Sequence, residues 1–521
     1  MDSVVTVGLK HPGQRRGVDD RGKPLMTRGT WNSIARRFEA WDIEIVYLDE
    51  VQPVTELKVS SAHHIKRLRR SPHVSYVEPG SEPSSLIQSS TCGPGPIKHP
   101  STIDTYGDKL SYVLTRHDVP LAWSRSTGSG VDVAIIDSGI SATQQQFQTG
   151  GAAPAFDAGQ SAGRTLTLLA EWSEPGDPPG QEWNDTCGHG TKTASVLFAP
   201  REGVNVVGVA YGSNGVAIRG LGGVMFGLQQ FRAVRRSIDR AGERAKIVSM
   251  SFGSIYHYDS IEDRIQYWYY PDPPQQPKEV LFIGAAGTFP QGVGSGSDGA
   301  VFPASIAEVV AVTGLDPDHL DVMKACEGCF RGPKVEFASY ISGEAAYFGG
   351  GYGETDGVGG ASAATPVVAG IAALVWSRYP NWSRDQVIDR LRESAALYYN
   401  KDSKIGYGPV NADAAVGGLK AVRAHGPDKV QSPRTYTFSV SAMGDGPFSY
   451  AWDSGETGTQ ITRYLTPPPS GSETLTVRVT VEDQISGEEI TALKHVEVCY
   501  PGQCLSDGGP PPGGPFPGTG F

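Results

Sequence analysis

Hydrophobic and polar positions follow three successive patterns along the chain. Over residues 1–82, strand-like runs at Val4 to Leu9, Ile43 to Leu48 and Val74 to Val77 alternate with helix-like runs at Thr30 to Ala40 and Ser60 to Arg70. This predicts a small α+β unit. Residues 83–104 turn to Ser, Pro and Gly and read as an exposed linker. From 105 to 421, β-branched runs at Val131 to Ile136, Ala245 to Ser249, Val280 to Ala286 and Val309 to Thr313 alternate with helical patterns. Such alternation predicts an α/β domain, a mainly parallel sheet with helices on both faces. One helix is well marked, because Ser383-Arg-Asp-Gln386 has capping-box form ahead of Val387, Ile388 and Leu391. Over 427–500 the period becomes two. Tyr436, Phe438 and Val440 share a face, as do Val477, Val479 and Val481, and then Val496 and Val498. With Trp452 as a core residue and turn signals at Gly444-Asp-Gly446 and Pro467-Pro-Pro-Ser470, this predicts a β-sandwich. Residues 501–521, rich in Gly and Pro, are expected to stay extended.

Composition narrows the function classes. A chain of 521 residues accommodates several folded units, and 66 Gly with 38 Pro favour loop-rich domains over a helical bundle. The net charge of -11 gives no electrostatic footprint for nucleic acid. The longest apolar run, Thr365 to Trp376, falls short of the ~20 residues of a membrane helix, so no membrane span is expected. The opening MDSVVTVGLK has neither a basic stretch nor the apolar core of a signal peptide. The six cysteines nevertheless include the close pairs Cys326/Cys329 and Cys499/Cys504, which suit disulfides in an oxidising compartment. These signals conflict; a secreted or extracellular location is expected, with a cytoplasmic one as the alternative.

Three segments of the 105–421 region place a reactive side chain where a backbone element ends. In VDVAIIDSGI a hydrophobic strand runs into Asp137, at the carboxyl end where open α/β sheets build their sites. In NDTCGHGTKTASVLFA, His189 opens a small-residue helical pattern. In GVGGASAATPVVAGIAALVW, Ser362 follows glycines and precedes Pro366, which a helix accepts in its first turn, so Ser362 is expected among free backbone N–H groups. Singly, these read as a turn former, a packed histidine and an N-cap. Together they supply a nucleophile, its general base and the base's orienter, the set that acyl transfer requires.

The ordered segments Asp137-Ser-Gly139, His189-Gly-Thr191 and Gly360-Ala-Ser362-Ala-Ala-Thr-Pro366 resemble those of the subtilisin-like serine proteases. Ser249-Met-Ser-Phe-Gly253, Phe302-Pro-Ala-Ser305 and Gly406-Tyr-Gly-Pro-Val-Asn411-Ala support the resemblance. It implies a serine endopeptidase in which Ser362 attacks the scissile carbonyl, His189 shuttles the proton and Asp137 fixes the imidazole tautomer. Ser251, Phe252 and Gly253 would form the strand edge that pairs with an extended peptide substrate. The family's oxyanion donor is an Asn in an Ala-Ala-Gly-Asn segment, and here Ala285-Ala-Gly287 is followed by Thr288, a departure that leaves a hydroxyl in its place. Residues 1–82 resemble the family's inhibitory propeptide through Ser71-Pro-His-Val-Ser-Tyr-Val77-Glu, with removal expected somewhere in about 79 to 105. The chain's own N-terminal segment would then be an intramolecular inhibitor and polypeptides the substrates, with a monomer expected. No cofactor is required. Calcium is frequent in the family, but no segment here secures a metal site. Residues 427–500 resemble immunoglobulin or PKD-type modules. The alternatives are a catalytically weak or inactive subtilase-fold scaffold and an intracellular processing protease.

Four further features have plainer readings. Cys326-Glu-Gly-Cys329 lacks the second pair of a zinc site and reads as a local disulfide or two structural thiols. Cys187 offers a reactive thiol beside His189, a disulfide with Cys92, or a packed side chain. Lys66, Arg67, Arg69 and Arg70 read as a solvated helix face. Tyr267 to Tyr270 line a groove or, with Ile261 and Ile265 at helical spacing, pack into the core.

Overall fold

The computed structural model describes residues 3–9, 38–39, 41, 43–48, 54–79, 99–144, 147, 163–203, 205–226, 230–270, 279–288, 298–318, 323–341, 343–347, 349 and 354–500. Most of the expected helix at 30–40, the linker up to residue 98, the tail after 500 and Cys92 and Cys504 lie outside them. Two compact units are formed, Met1–Arg116 with Gly128–Val410, and His117–Thr127 with Asn411–Phe521.

The first unit is built on a seven-stranded parallel sheet. Its strands are β1 (Asp132–Asp137), β2 (Leu166–Ala170), β3 (Asn214–Arg219), β4 (Ile247–Met250), β5 (Leu281–Ala285), β6 (Val309–Leu315) and β7 (Val335–Tyr340), in the order β7-β6-β5-β4-β1-β3-β2. Every residue of β4, β5 and β6 is buried, as a parallel sheet covered on both faces demands. Ala134, Ile136, Val248, Met250 and Phe282 point into one cluster with α2 (Phe231–Arg244) and α3 (Asp259–Tyr269). The intervening Val133, Ile135, Ile247 and Ile283 are equally buried and point the other way. Helices α1 (His189–Phe198) and α4 (Gly360–Arg378) pack across the sheet and on one another. The predicted cap of α5 (Arg384–Glu393) is present in full: Ser383 Oγ accepts from the Gln386 N–H, and the Gln386 side chain accepts from the Ser383 N–H.

Helix α4 begins before the apolar run visible in the sequence, so among the described residues it is long and apolar enough to cross a membrane. It is instead a core helix, 89% of that stretch being buried. Tyr267 to Tyr270 resolve toward packing, with Trp268 and Tyr269 against the α2/α3 core and Trp268 Nε1 donating to Asp239.

The N-terminal residues form an antiparallel sheet in the order Glu44–Leu48, Val54–Val59, Ser3–Leu9, Val74–Pro79, with the helix Ala62–Arg70 packed on it. Val54–Val59 is a strand that the sequence pattern did not reveal. It lacks alternation because Thr55 and Glu56 are buried along with its apolar residues. Glu56 is fully buried against α2, where both Arg232 and Arg235 reach it and the Tyr47 ring lies 5.6 Å and 5.3 Å from their guanidinium carbons. Glu78 accepts from the N–H groups of Asp259 and Ser260 at 2.9 and 3.3 Å, capping α3, whose own N-cap side chain makes no such bond.

In the second unit, a three-stranded sheet (Ala421–His425, Arg434–Met443, Gln460–Leu465) and a four-stranded one (Lys429–Val430, Phe448–Trp452, Ser472–Asp483, Glu489–Cys499) share one core. Phe438, Trp452, Val479 and Val496 fill it, as the period-two pattern predicts. Arg125 and Asp483 form a buried ion pair at 2.5 Å. Asp413, 0% exposed, lies against the Glu488 carboxyl with no N–H donor to either of its oxygens.

Burial raises both carboxyls, Asp413 to about 6 and Glu488 to about 8; the Asp413 charge adds to the rise of Glu488, while the Arg125 charge and a hydrogen bond with Glu488 act against that of Asp413. Their folded-state values lie above the unfolded ones, so their contribution is fully present below the unfolded values and is lost as pH rises through the folded ones. Calorimetry of the full chain is expected to show the transition of this unit falling as pH rises from 5 to above about 8, with Glu488→Gln flattening the decline. A transition that strengthens over that interval would contradict the assignment.

Candidate active site

Because the strands are parallel and adjacent, the carboxyl ends of β1, β4 and β5 lie side by side, with Ile136 level with Met250 and Met250 level with Gly284. The chain leaves these ends at Asp137, Ser251 and Thr288. Asp137 is 1% exposed. Its Oδ1 lies 2.7 Å from His189 Nδ1 and accepts from the Ser138 N–H at 2.7 Å. Its Oδ2 accepts from the Thr193 hydroxyl at 3.0 Å. A carboxylate on Nδ1 fixes the tautomer that leaves Nε2 as the acceptor.

The histidine reaches this position because α1 starts in direct contact with the turn after β1. A Cβ on Gly190 would lie 2.3 Å from the Gly139 carbonyl oxygen, so only glycine fits there. The loop that delivers His189 is gathered on Asp185, whose carboxylate accepts from the N–H groups of Cys187, Gly188 and Thr191 and from the hydroxyls of Ser138 and Thr191. Burial pushes the Asp185 carboxyl up, and these hydrogen bonds act in the opposite direction. Asp185 and Thr193 escaped the sequence reading. For Thr193 the signal was present, since it stands four residues after His189 on one helix face.

Ser362 is the third residue of α4, in the first turn as expected, but Pro366 lies a full turn further in than the sequence analysis placed it. Proline inside a helix removes the N–H that would bond the carbonyl four residues back, and that carbonyl belongs to Ser362. Ser251 Oγ donates to it at 2.9 Å, which makes the interior position tolerable. In return Ser362 Oγ donates to the Ser251 carbonyl at 3.2 Å. The structure thus brings Asp137 to His189 and Ser362 to Ser251, while α1 packs on α4.

Thr288 is exposed and follows Gly287 at φ 121°. Its Oγ1 accepts from the Ala361 N–H at 2.9 Å, next to Ser362. A side chain on Gly360, at φ 70°, would meet that hydroxyl at 2.8 Å. Of the expected substrate edge, Phe252 turns its side chain into the core beside Phe226, and Gly253 has both its N–H and its carbonyl bonded to Val224 and Phe226. Cys187 is disulfide-bonded, which removes the reactive-thiol reading, and Cys326 is bonded to Cys329. Among the described residues His257, Asp259 and Glu262 bring potential ligand atoms within 4.8 Å, but His257 Nε2 already lies 2.8 Å from the Glu262 carboxyl at the start of α3.

Residues 128–408, more than half of the chain, match the family model described as the Subtilase family, Peptidase S8. The chain belongs to the subtilase family. M-protease of Shouchella clausii (strain KSM-K16) is 27% identical over 387 residues, covering 74% of this chain and 85% of that protein. The alkaline protease of Alkalihalobacillus alcalophilus gives the same identity and coverage. Subtilisin Savinase of Lederbergia lenta is 28% identical over 304 residues, 58% of this chain and 97% of that one. The subtilase match spans all of β1 to β7 and α1 to α5, so every residue of the site lies within it.

The Gly190 contact gives a test of this geometry. Gly190→Ala is expected to cost roughly 1–3 kcal/mol by overpacking, read as a lower denaturation midpoint, whereas Gly359→Ala, with no neighbouring atom within 4 Å and an extended backbone, involves no such collision. Equal midpoints for wild type and Gly190→Ala would refute the close approach.

Proposed function

We propose that this subtilase is a serine endopeptidase acting through Asp137, His189 and Ser362, and that it is made as an autoinhibited precursor. The observation that carries the reading is the 2.7 Å Asp137–His189 bond at the same sheet edge that receives Ser362. In this mechanism Ser362 Oγ attacks the scissile carbonyl and gives its proton to His189 Nε2. The imidazolium, stabilised by Asp137, returns that proton to the leaving amine as the C–N bond breaks. Water then repeats the sequence on the acyl-enzyme. The tetrahedral oxyanion would be held by the Ser362 N–H, a first-turn donor without an intrahelical partner, and by the Thr288 hydroxyl. Thr288 uses a lone pair to accept from Ala361, which leaves its one proton to donate.

Docking of the N-terminal sheet on α2 and α3 through Glu56 and Glu78 supports its reading as an inhibitory propeptide. Names such as alkaline protease among the relatives support polypeptide substrates, and disulfides at Cys326–Cys329, Cys187 and Cys499 fit an oxidising compartment and an extracellular location. The C-terminal sandwich is read as an immunoglobulin or PKD-like spacer or binding module. Thr288 in place of asparagine favours one second reading, a catalytically weak scaffold.

The protein freed of its N-terminal segment is expected to be labelled by a fluorophosphonate probe, and Ser362→Ala to abolish the labelling. Labelling that is absent once the N-terminal segment is removed, or that survives Ser362→Ala, would sink the enzyme reading. Thr288→Val is expected to lower kcat by about 10²–10³ with KM little changed, the range for loss of one oxyanion donor. Thr288→Ser should retain most activity. Unchanged kcat in Thr288→Val would exclude the hydroxyl as a donor.

A further inference from the structure

We propose that the Ser251 hydroxyl is a positioning group for the nucleophile, supplying to the Ser362 carbonyl the hydrogen bond that Pro366 withholds. The inference rests on Ser362 being the nucleophile and goes beyond the substrate-edge role expected for Ser251. Within α4, residue 366 would ordinarily donate its N–H to the carbonyl of residue 362. Proline has none, and a partly buried carbonyl without a donor is costly. Ser251 Oγ, at the end of β4, fills this vacancy at 2.9 Å, and its side chain is fully buried.

The consequence reaches the reacting atoms through the backbone. The peptide unit before Ala361 is anchored to the segment after β5 through its N–H on Thr288, and the peptide unit after Ser362 is anchored to the residue after β4 through its carbonyl on Ser251. The peptide unit between them carries the Ser362 N–H, the oxyanion donor. Its direction is therefore fixed from both sides by neighbouring strands, and loss of the Ser251 bond frees one side. The same residue's carbonyl also receives the resting Ser362 hydroxyl at 3.2 Å, so the anchor and the nucleophile share one strand end.

A double-mutant cycle tests this in protein produced as the full chain and then freed of its N-terminal segment. Ser251→Ala is expected to lower kcat about tenfold with KM nearly unchanged. In Pro366→Ala, the restored N–H can serve the Ser362 carbonyl, so adding Ser251→Ala there should cost less than about threefold. The thermal midpoint should show the same pattern, falling on Ser251→Ala only when Pro366 is present. An equal loss of kcat in both backgrounds would overturn the proposal, as would a loss confined to KM, which would mean that Ser251 only pairs with substrate. Absence of any Ser362-dependent labelling in wild type is a different result. It would remove the nucleophile itself, while the midpoint cycle would still report whether the hydrogen bond replaces the missing one.

Discussion

The site depends on how closely helix α1 approaches the turn after β1. The 2.7 Å bond between Asp137 and His189 exists because the helix start lies against Gly139, and that contact exists because Gly190 has no side chain to hold it off. A helix displaced outward by even the radius of a methyl group would carry His189 beyond hydrogen-bond reach. Asp185 keeps the approach from being a mere opportunity. Its carboxylate collects donors from the loop ahead of α1, from Thr191 inside the helix and from Ser138 on the turn, so both sides of the contact close on one anion. The imidazole is thus aimed by backbone placement before any interaction of its own.

The N-terminal sheet is held by a different kind of interaction. Glu56 is fully buried while Arg232 remains 32% exposed, so the pair is solvated on one side only. Burying a carboxylate costs several kcal/mol, which the attraction and hydrogen bonds must offset, and net stabilisation from such pairs is small compared with their demand for correct geometry. Glu78 follows the same logic on α3, where a carboxylate completes a helix start that lacks a side-chain cap. Contacts of this type specify where the sheet docks and leave two helices with charged, water-compatible surfaces once it departs. That suits a segment whose removal is part of the function proposed above.

Much of this was readable from the residues. The alternation of β-branched runs and helical patterns predicted the parallel sheet, and the period of two predicted the core of the sandwich around Phe438 and Trp452. Asp137, His189 and Ser362 were visible because each ends or begins an element, with glycines at the tight turns. What was hidden has a common cause. Val54–Val59 escaped because Glu56 is buried by Arg232, far away in sequence, and Thr55 by its hydroxyl on the Tyr47 carbonyl of the neighbouring strand, so polar residues of the strand point inward. Asp185 escaped because its role is to accept hydrogen bonds from four other residues, and nothing in a lone Asp announces that. Pro366 was placed too early because the rule against interior proline assumes that the freed carbonyl has no other donor.

That last failure shows how the start of α4 is framed. A helix N-terminus ordinarily frays, since its first N–H groups lack partners and its first turn is held on one side only. Here Thr288 accepts the Ala361 N–H, and Ser251 donates to the Ser362 carbonyl, from the ends of two adjacent strands. Neither bond belongs to the helix's own ladder, and each replaces a connection that the sequence has removed: a cap in one case, an i to i−4 bond in the other. The helix therefore takes its orientation from the sheet at the very residue proposed as the nucleophile. A side chain on Gly360 would break the arrangement by displacing Thr288, and an ordinary residue at 366 would make Ser251 redundant. The small residues around Ser362 and the proline after it are thus parts of one device, which transfers the rigidity of a buried parallel sheet to a half-buried hydroxyl.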